Sequence, residues 1–196
     1  MALKRRPSPR LAFQPKLNKI VHAILYLVTK LPGLDHYQVV KLLYLADREH
    51  LNRYGRPLTF DTYWAMENGP VASNALHLIK GDVGTLRKAH LSQLPVEMEA
   101  ADNRIILKRP LLPVDTDQFS KSDLAVLDDV IARYGRLTFD ELYDLTHEHT
   151  AYVLAWDSRP SKTTKSAQMH YEDLLSDDAD KEAKIEALEP IASRMR

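Results

Sequence analysis

Asp47 and His50 stand three residues apart in a stretch with helical spacing, so their side chains can meet on one face. Two readings are open: a buried polar pair that satisfies itself, or a proton-transfer or metal-binding pair. No third ligand stands at a recognisable spacing from it. A second cluster, His147-Glu148-His149, sets two imidazoles around a carboxylate. On a helix, residues two apart point about 200° from each other and cannot share one metal. The HExxH spacing is absent as well, so the cluster reads as a solvated helix end where positive charge complements the dipole. The 196 residues contain no cysteine, which excludes disulfides, thiolate zinc sites and cysteine nucleophiles together. There is no GxGxxG, no phosphate loop and no GxSxG. The expectation is a protein that is not an enzyme and holds neither a metal nor a cofactor.

The elements that must position these residues follow from caps and periodicity. Asp35 is placed to cap a helix running to about Tyr54. Gly55 supplies a left-handed stop and Pro57 prevents an immediate restart. Within this helix VVKLLYLA (39–46) is apolar around most of its circumference, which predicts an interior helix with neighbours on two sides. Val39, Leu42, Leu43, Ala46 and His50 share one side; Lys41, Arg48 and Asn52 lie opposite. Next, TYWAME (62–67) alternates like a short strand, and Asn68-Gly69-Pro70 reads as a turn with Pro70 opening a helix that ends at Gly81.

KLLYLADREHLNRYGRPLT, followed by Tyr63 and WAMENGPV, resembles the Panacea domain, the SocA-like antitoxin domain of bacteria and phages. The likeness runs from Leu17 to about Gly81 and rests on Lys41, Leu43, Tyr44, Asp47, Tyr54, Gly55, Leu58, Tyr63, Ala65, Gly69 and Pro70. It implies a cytoplasmic antitoxin that binds and blocks a co-expressed protein toxin, a cognate partner whose identity varies widely across the family. Members of the SocA type also hand a toxin to a protease. Lys41, Tyr44, Arg48 and the segment Tyr63, Trp64, Glu67 and Asn68 are the expected contact patch. The same residues have a structural reading, in which they lock the strand onto the central helix. Asp47, His50, Gly55, Gly69 and Pro70 are expected to be structural.

The remaining pattern predicts a mainly α fold with a small antiparallel sheet (α+β): a helical bundle around a buried central helix, with a β-hairpin. Residues 16–31 and 122–134 carry helical stripes, and Thr138-Phe139-Asp140-Glu141 is a capping box opening a helix through about His149. VEMEAADNRIILKR (96–109) reads as a hairpin, with the 62–67 strand as its third member. Residues 1–15 read as a flexible basic arm, 16–157 as the globular domain and 158–196 as a C-terminal helical extension packed on it. No acidic residue precedes Asp35, whereas 172–189 is mostly acidic, so the two ends can meet or stand apart as solvated termini. The Lys-Arg-Arg before the apolar run of 20–28 is not read as a leader, because charges flank both sides and no small-residue cleavage site follows. No run is long enough to span a membrane. An alternative reading, a winged-helix-like DNA-binding regulator, draws on Arg104, Lys108 and Arg109 of the hairpin. Its weakness is that the helix ending at Lys80 carries a single cation.

Overall fold

The computed structural model describes residues 8–194. Helix α1 (Leu17–Lys30) leads through a two-residue strand β1 (Leu34–Asp35) into the central helix α2 (His36–Tyr54). Strands β2 (Tyr63–Met66) and β3 (Gly69–Ala72) precede α3 (Ser73–Ile79) and α4 (Val83–Lys88). The hairpin β4 (Val96–Ala101) and β5 (Arg104–Pro110) is followed by α5 (Lys121–Tyr134), α6 (Phe139–His147) and α7 (Thr150–Asp157). Strand β6 (Ser166–Gln168), α8 (Tyr171–Leu174) and α9 (Lys181–Arg194) complete the chain. The fold is α+β, with two antiparallel sheets ordered β1-β5-β4 and β3-β2-β6.

Helix α2 is built by the local signals. The Asp35 carboxylate accepts from the Gln38 N–H at 2.8 Å while the Gln38 side chain accepts from the Asp35 N–H at 3.1 Å, satisfying two groups at a helix start reciprocally. Gly55 takes φ +69° and its N–H closes on Leu51. Val39, Leu42, Leu43, Tyr44 and Ala46 have no exposure, and α3, α5, α6, α8 and β3 all pack around the helix.

Two expectations about the strands need correction. The third strand beside the hairpin is β1, with Leu34 opposite Leu107, whereas β2 belongs to the other sheet. Pro70 does not open a helix: it lies in β3, opposite Ala65. This position suits proline because β3 is an edge strand. The helix starts at Ser73 instead, and its first amides are held from a distance. Asp61 accepts from Asn74 N at 2.9 Å, Asn74 Nδ2 at 2.7 Å and Ala75 N at 3.0 Å.

The chain ends are tied to the body. Leu11 is buried, and the Phe13 ring meets Phe60 and Tyr171 edge-on. Arg10 pairs with Glu182 and Glu189 while its N–H donates to Glu172, so basic and acidic ends do meet. Lys4, Arg5 and Arg6 of the expected arm lie outside the described residues. Strand β6, within the stretch read as a helical extension, adds to the β2 sheet, with Ala167 opposite Ala65.

Two buried carboxylates hold these parts in register. Asp123, without exposure on α5, lies 2.6 Å from Lys19 Nζ of α1, 3.1 Å from His50 Nε2 of α2 and 3.0 Å from Arg56 Nη2. Burial alone would raise its pKa, but His50, Lys19 and the Ser120 N–H together hold it well below the usual carboxylate range. Asp47, also without exposure, accepts from Leu58 N at 2.8 Å, Thr59 N at 2.6 Å, Thr59 Oγ1 at 2.7 Å and Tyr63 Oη at 2.7 Å, with Tyr171 Oη at 3.4 Å. Asp47 and His50 are therefore not partners: each turns to a different set of elements. A donor left without an acceptor in the interior costs roughly 1–3 kcal/mol. Asp47→Ala is accordingly expected to lose about 3–5 kcal/mol of stability, with Asp47→Asn losing less because one acceptor oxygen remains. Urea titration of the three proteins measures both.

Candidate functional site

The turn between β2 and β3 is where the sequence motif reaches the surface, and distant parts of the chain hold it. Its three successive carbonyls are each taken by a different side chain. Tyr152 Oη of α7 donates to Met66 O at 3.0 Å, His147 Nε2 of α6 lies 3.2 Å from Glu67 O, and Lys41 Nζ of α2 donates to Asn68 O at 2.6 Å. Lys41 also reaches Thr146 Oγ1 at 3.1 Å, and that hydroxyl donates to Leu142 O at 2.7 Å. Gly69 follows at φ +97°, a conformation that excludes most side chains. A Cβ there would also crowd Lys41, Thr146 and His147.

This geometry corrects part of the expected contact patch. Lys41, Tyr44 and Tyr63 are buried, at 2%, 0% and 2% exposure, and present no surface to a partner. Lys41 falls opposite the apolar side of α2, yet α6 and β3 cover that side too. Tyr44 Oη pairs with His149 Nδ1 at 3.1 Å, and Tyr63 lies edge-on to Tyr44 and donates to Asp47. Of the others, Arg48 is half-buried near Tyr44 and His149. Trp64 and Asn68 are half-buried and Glu67 is exposed. Trp64 lines a groove with Met66, Val71 and Leu76, and Glu67 and Asn68 line its continuation. Gly55 and Gly69 serve as backbone devices, Pro70 serves as a strand residue, and His50 bonds to Arg56 O at 2.7 Å and Ser122 Oγ at 3.0 Å.

The histidine cluster is also corrected. His147 closes α6 and spans Tyr143 O and Glu67 O, whereas His149 precedes α7 and faces Tyr44. Burial, with Arg48 and Lys41 nearby, lowers the His149 pKa to about 4, so it is neutral at physiological pH rather than a charged helix end. Among the described residues no three His, Cys, Asp or Glu side chains gather as a metal site. The hairpin cations are engaged as well: Arg104 with Asp35, Lys108 with Glu99 and Arg109 with Glu97. Sequence reasoning missed Asp61, Asp123, Thr146, Tyr152 and Tyr171, whose bonds to other elements join residues distant in sequence.

Burial lowers the Lys41 pKa to about 8, with neutral oxygens as its acceptors. An unfolded lysine titrates near ~10.4, so between these values the unfolded chain binds the extra proton and stability rises with pH. Lys41 thus contributes stability that is present above the unfolded pKa and lost as pH falls towards 8. Relative to Lys41→Met, the wild type is expected to gain about 1–2 kcal/mol between pH 7.5 and 9.5. Paired urea titrations at the two pH values read this difference directly.

With the turn, its clamps and the buried carboxylates in view, the comparisons with known proteins fall into place. No curated protein and no solved structure matched the chain. A family model described as antitoxin SocA-like, Panacea domain, matches residues 39–153, which takes in α2 from Val39 onward, the β2–β3 turn and the three side chains that clamp it. The chain belongs to the SocA-like Panacea domain family of antitoxins.

Proposed function

We propose that this protein is the antitoxin of a bacterial or phage toxin–antitoxin pair and neutralises a co-expressed toxin by direct contact in the cytoplasm. The observation that carries the reading is the extent of the family match, which covers the central helix from Val39, the clamped turn, α6 and the start of α7 with Tyr152. The physical arrangement supports binding over catalysis. The polar side chains of the motif, Lys41, Asp47 and His50, are committed to internal hydrogen bonds. What the motif leaves at the surface is a rigid turn beside the half-buried Trp64 and Met66. A pre-ordered surface binds with less loss of conformational entropy than a mobile one. Among the described residues no helix is long and apolar enough to cross a membrane. The pairing of all three hairpin cations with carboxylates favours a protein partner over DNA, because phosphate contact requires free cationic groups. Delivery of the toxin to a protease is a second role that family membership suggests.

The test is co-expression with the protein encoded by the adjacent reading frame. The expected outcome is arrest of growth by that protein alone, rescue by this chain, and a stoichiometric complex on size exclusion. Rescue without a complex, or a complex without rescue, would refute neutralisation by direct contact. Pulse-chase of the toxin separates blocking from delivery: an unchanged toxin half-life under rescue excludes the protease role.

A further inference from the structure

The outward face of the β3-β2-β6 sheet carries a groove that the fold leaves uncovered. Strand alternation sends Tyr63 and Ala65 into the core and turns Trp64 and Met66 outward, each half-buried. Together with Val71, Leu76, His77 and Ser166 they line a depression of about 300 Å³. Met66, Val71 and Leu76 also line a second depression of about 220 Å³, so the two are neighbours with a shared wall and together make up a trough. Lys80 and Lys165 stand exposed on its rim, and neither takes part in an ion pair among the described residues. Glu67 is the single carboxylate on the lining of either depression. The trough therefore combines an apolar floor with an excess of positive charge at one end. Its floor is held in shape by the three side chains that grip the Met66, Glu67 and Asn68 carbonyls.

We infer that this trough docks the toxin through an acidic amphipathic segment, with apolar side chains seated on Trp64 and Met66 and carboxylates meeting Lys80 and Lys165. The inference rests on the antitoxin reading and adds the surface and the partner chemistry to it. Interface anchors concentrate where an aromatic side chain borders a water-excluding apolar floor, and flanking charge sets the rate of encounter and the choice of partner. A second copy of this chain is the poorer occupant, because its acidic C-terminal helix already spends Glu182 and Glu189 on Arg10. An apolar floor also suits a peptide better than a phosphate backbone.

Trp64 and Trp156 are the chain's two tryptophans, so Trp156→Phe leaves Trp64 as the sole reporter. The probe is the adjacent-frame protein whose growth arrest the chain relieves. Trp64 emission is expected to shift to the blue on binding. The double substitution K80E/K165E is expected to slow association about tenfold and flatten its salt dependence, while Met66→Ala speeds dissociation. Thermal melts confirm that the variants remain folded; Lys80 and Lys165 are exposed. If the wild type binds the toxin but emission is unchanged and both variants bind within twofold of it, the toxin docks elsewhere and the inference fails alone. If the wild type binds no toxin, the antitoxin reading fails and this assignment falls with it. Self-association lost in K80E/K165E, or duplex DNA competing with the toxin for the trough, would overturn the acidic protein partner.

Discussion

The carboxylate of Asp47 is the contact on which the rest of the structure depends. It sits on a helix without solvent exposure and draws the 58–59 loop, strand β2 and the C-terminal Tyr171 onto that helix. Burial raises its pKa, and the hydrogen bonds from Thr59, Tyr63 and Leu58 oppose the rise. A buried acid without those donors would carry a severe desolvation cost. The donors in turn would be stranded without the acid, so the group and its surroundings specify each other. That reciprocity brings pieces far apart in sequence to one place.

Asp61 and Asp123 repeat the device at two other junctions. Asp61 stands before β2 and caps α3, while its backbone carbonyl accepts from Tyr171 at 2.6 Å. Burial pushes its carboxyl up to about 6 against the bonds from Asn74 and Ala75. Asp123 instead meets His50 of α2, Lys19 of α1 and the Ser120 N–H, and these hydrogen bonds together with the charge of Lys19 bring its pKa down. The contrast follows from the partners: neutral donors offset only part of the cost of burial, whereas nearby positive charge reverses it.

The β2–β3 turn inherits its rigidity from these junctions. Its carbonyls are gripped from α2, α6 and α7, which are themselves packed on the core. A turn held from three directions can present a fixed apolar surface without relying on its own local sequence. Motif residues read as contacts thus act beneath the surface: Lys41, Tyr44 and Tyr63 shape the turn and strand from below, and Trp64, Met66 and Glu67 face outward.

Much of the architecture was legible in the residues alone. The Asp35 cap, the Gly55 stop, the Thr138 capping box and the β4–β5 hairpin are local events, set by side chains within a few residues of the backbone groups they satisfy. The family likeness was legible for the same reason, since its motif is contiguous. The pairing of strands was not: β1, with two residues, and β6, with three, are too short to announce themselves, and only their neighbours make them strands. The fate of Lys41 was not legible either. Helical projection places it opposite the apolar side, where a charged residue ordinarily meets water. The β2–β3 turn, 27 positions later, and α6, 105 positions later at Thr146, cover that side and supply the acceptors. Local sequence determines which way a side chain points along its own element; what lies there is decided by long-range packing, because burial belongs to the assembled elements and not to any one of them.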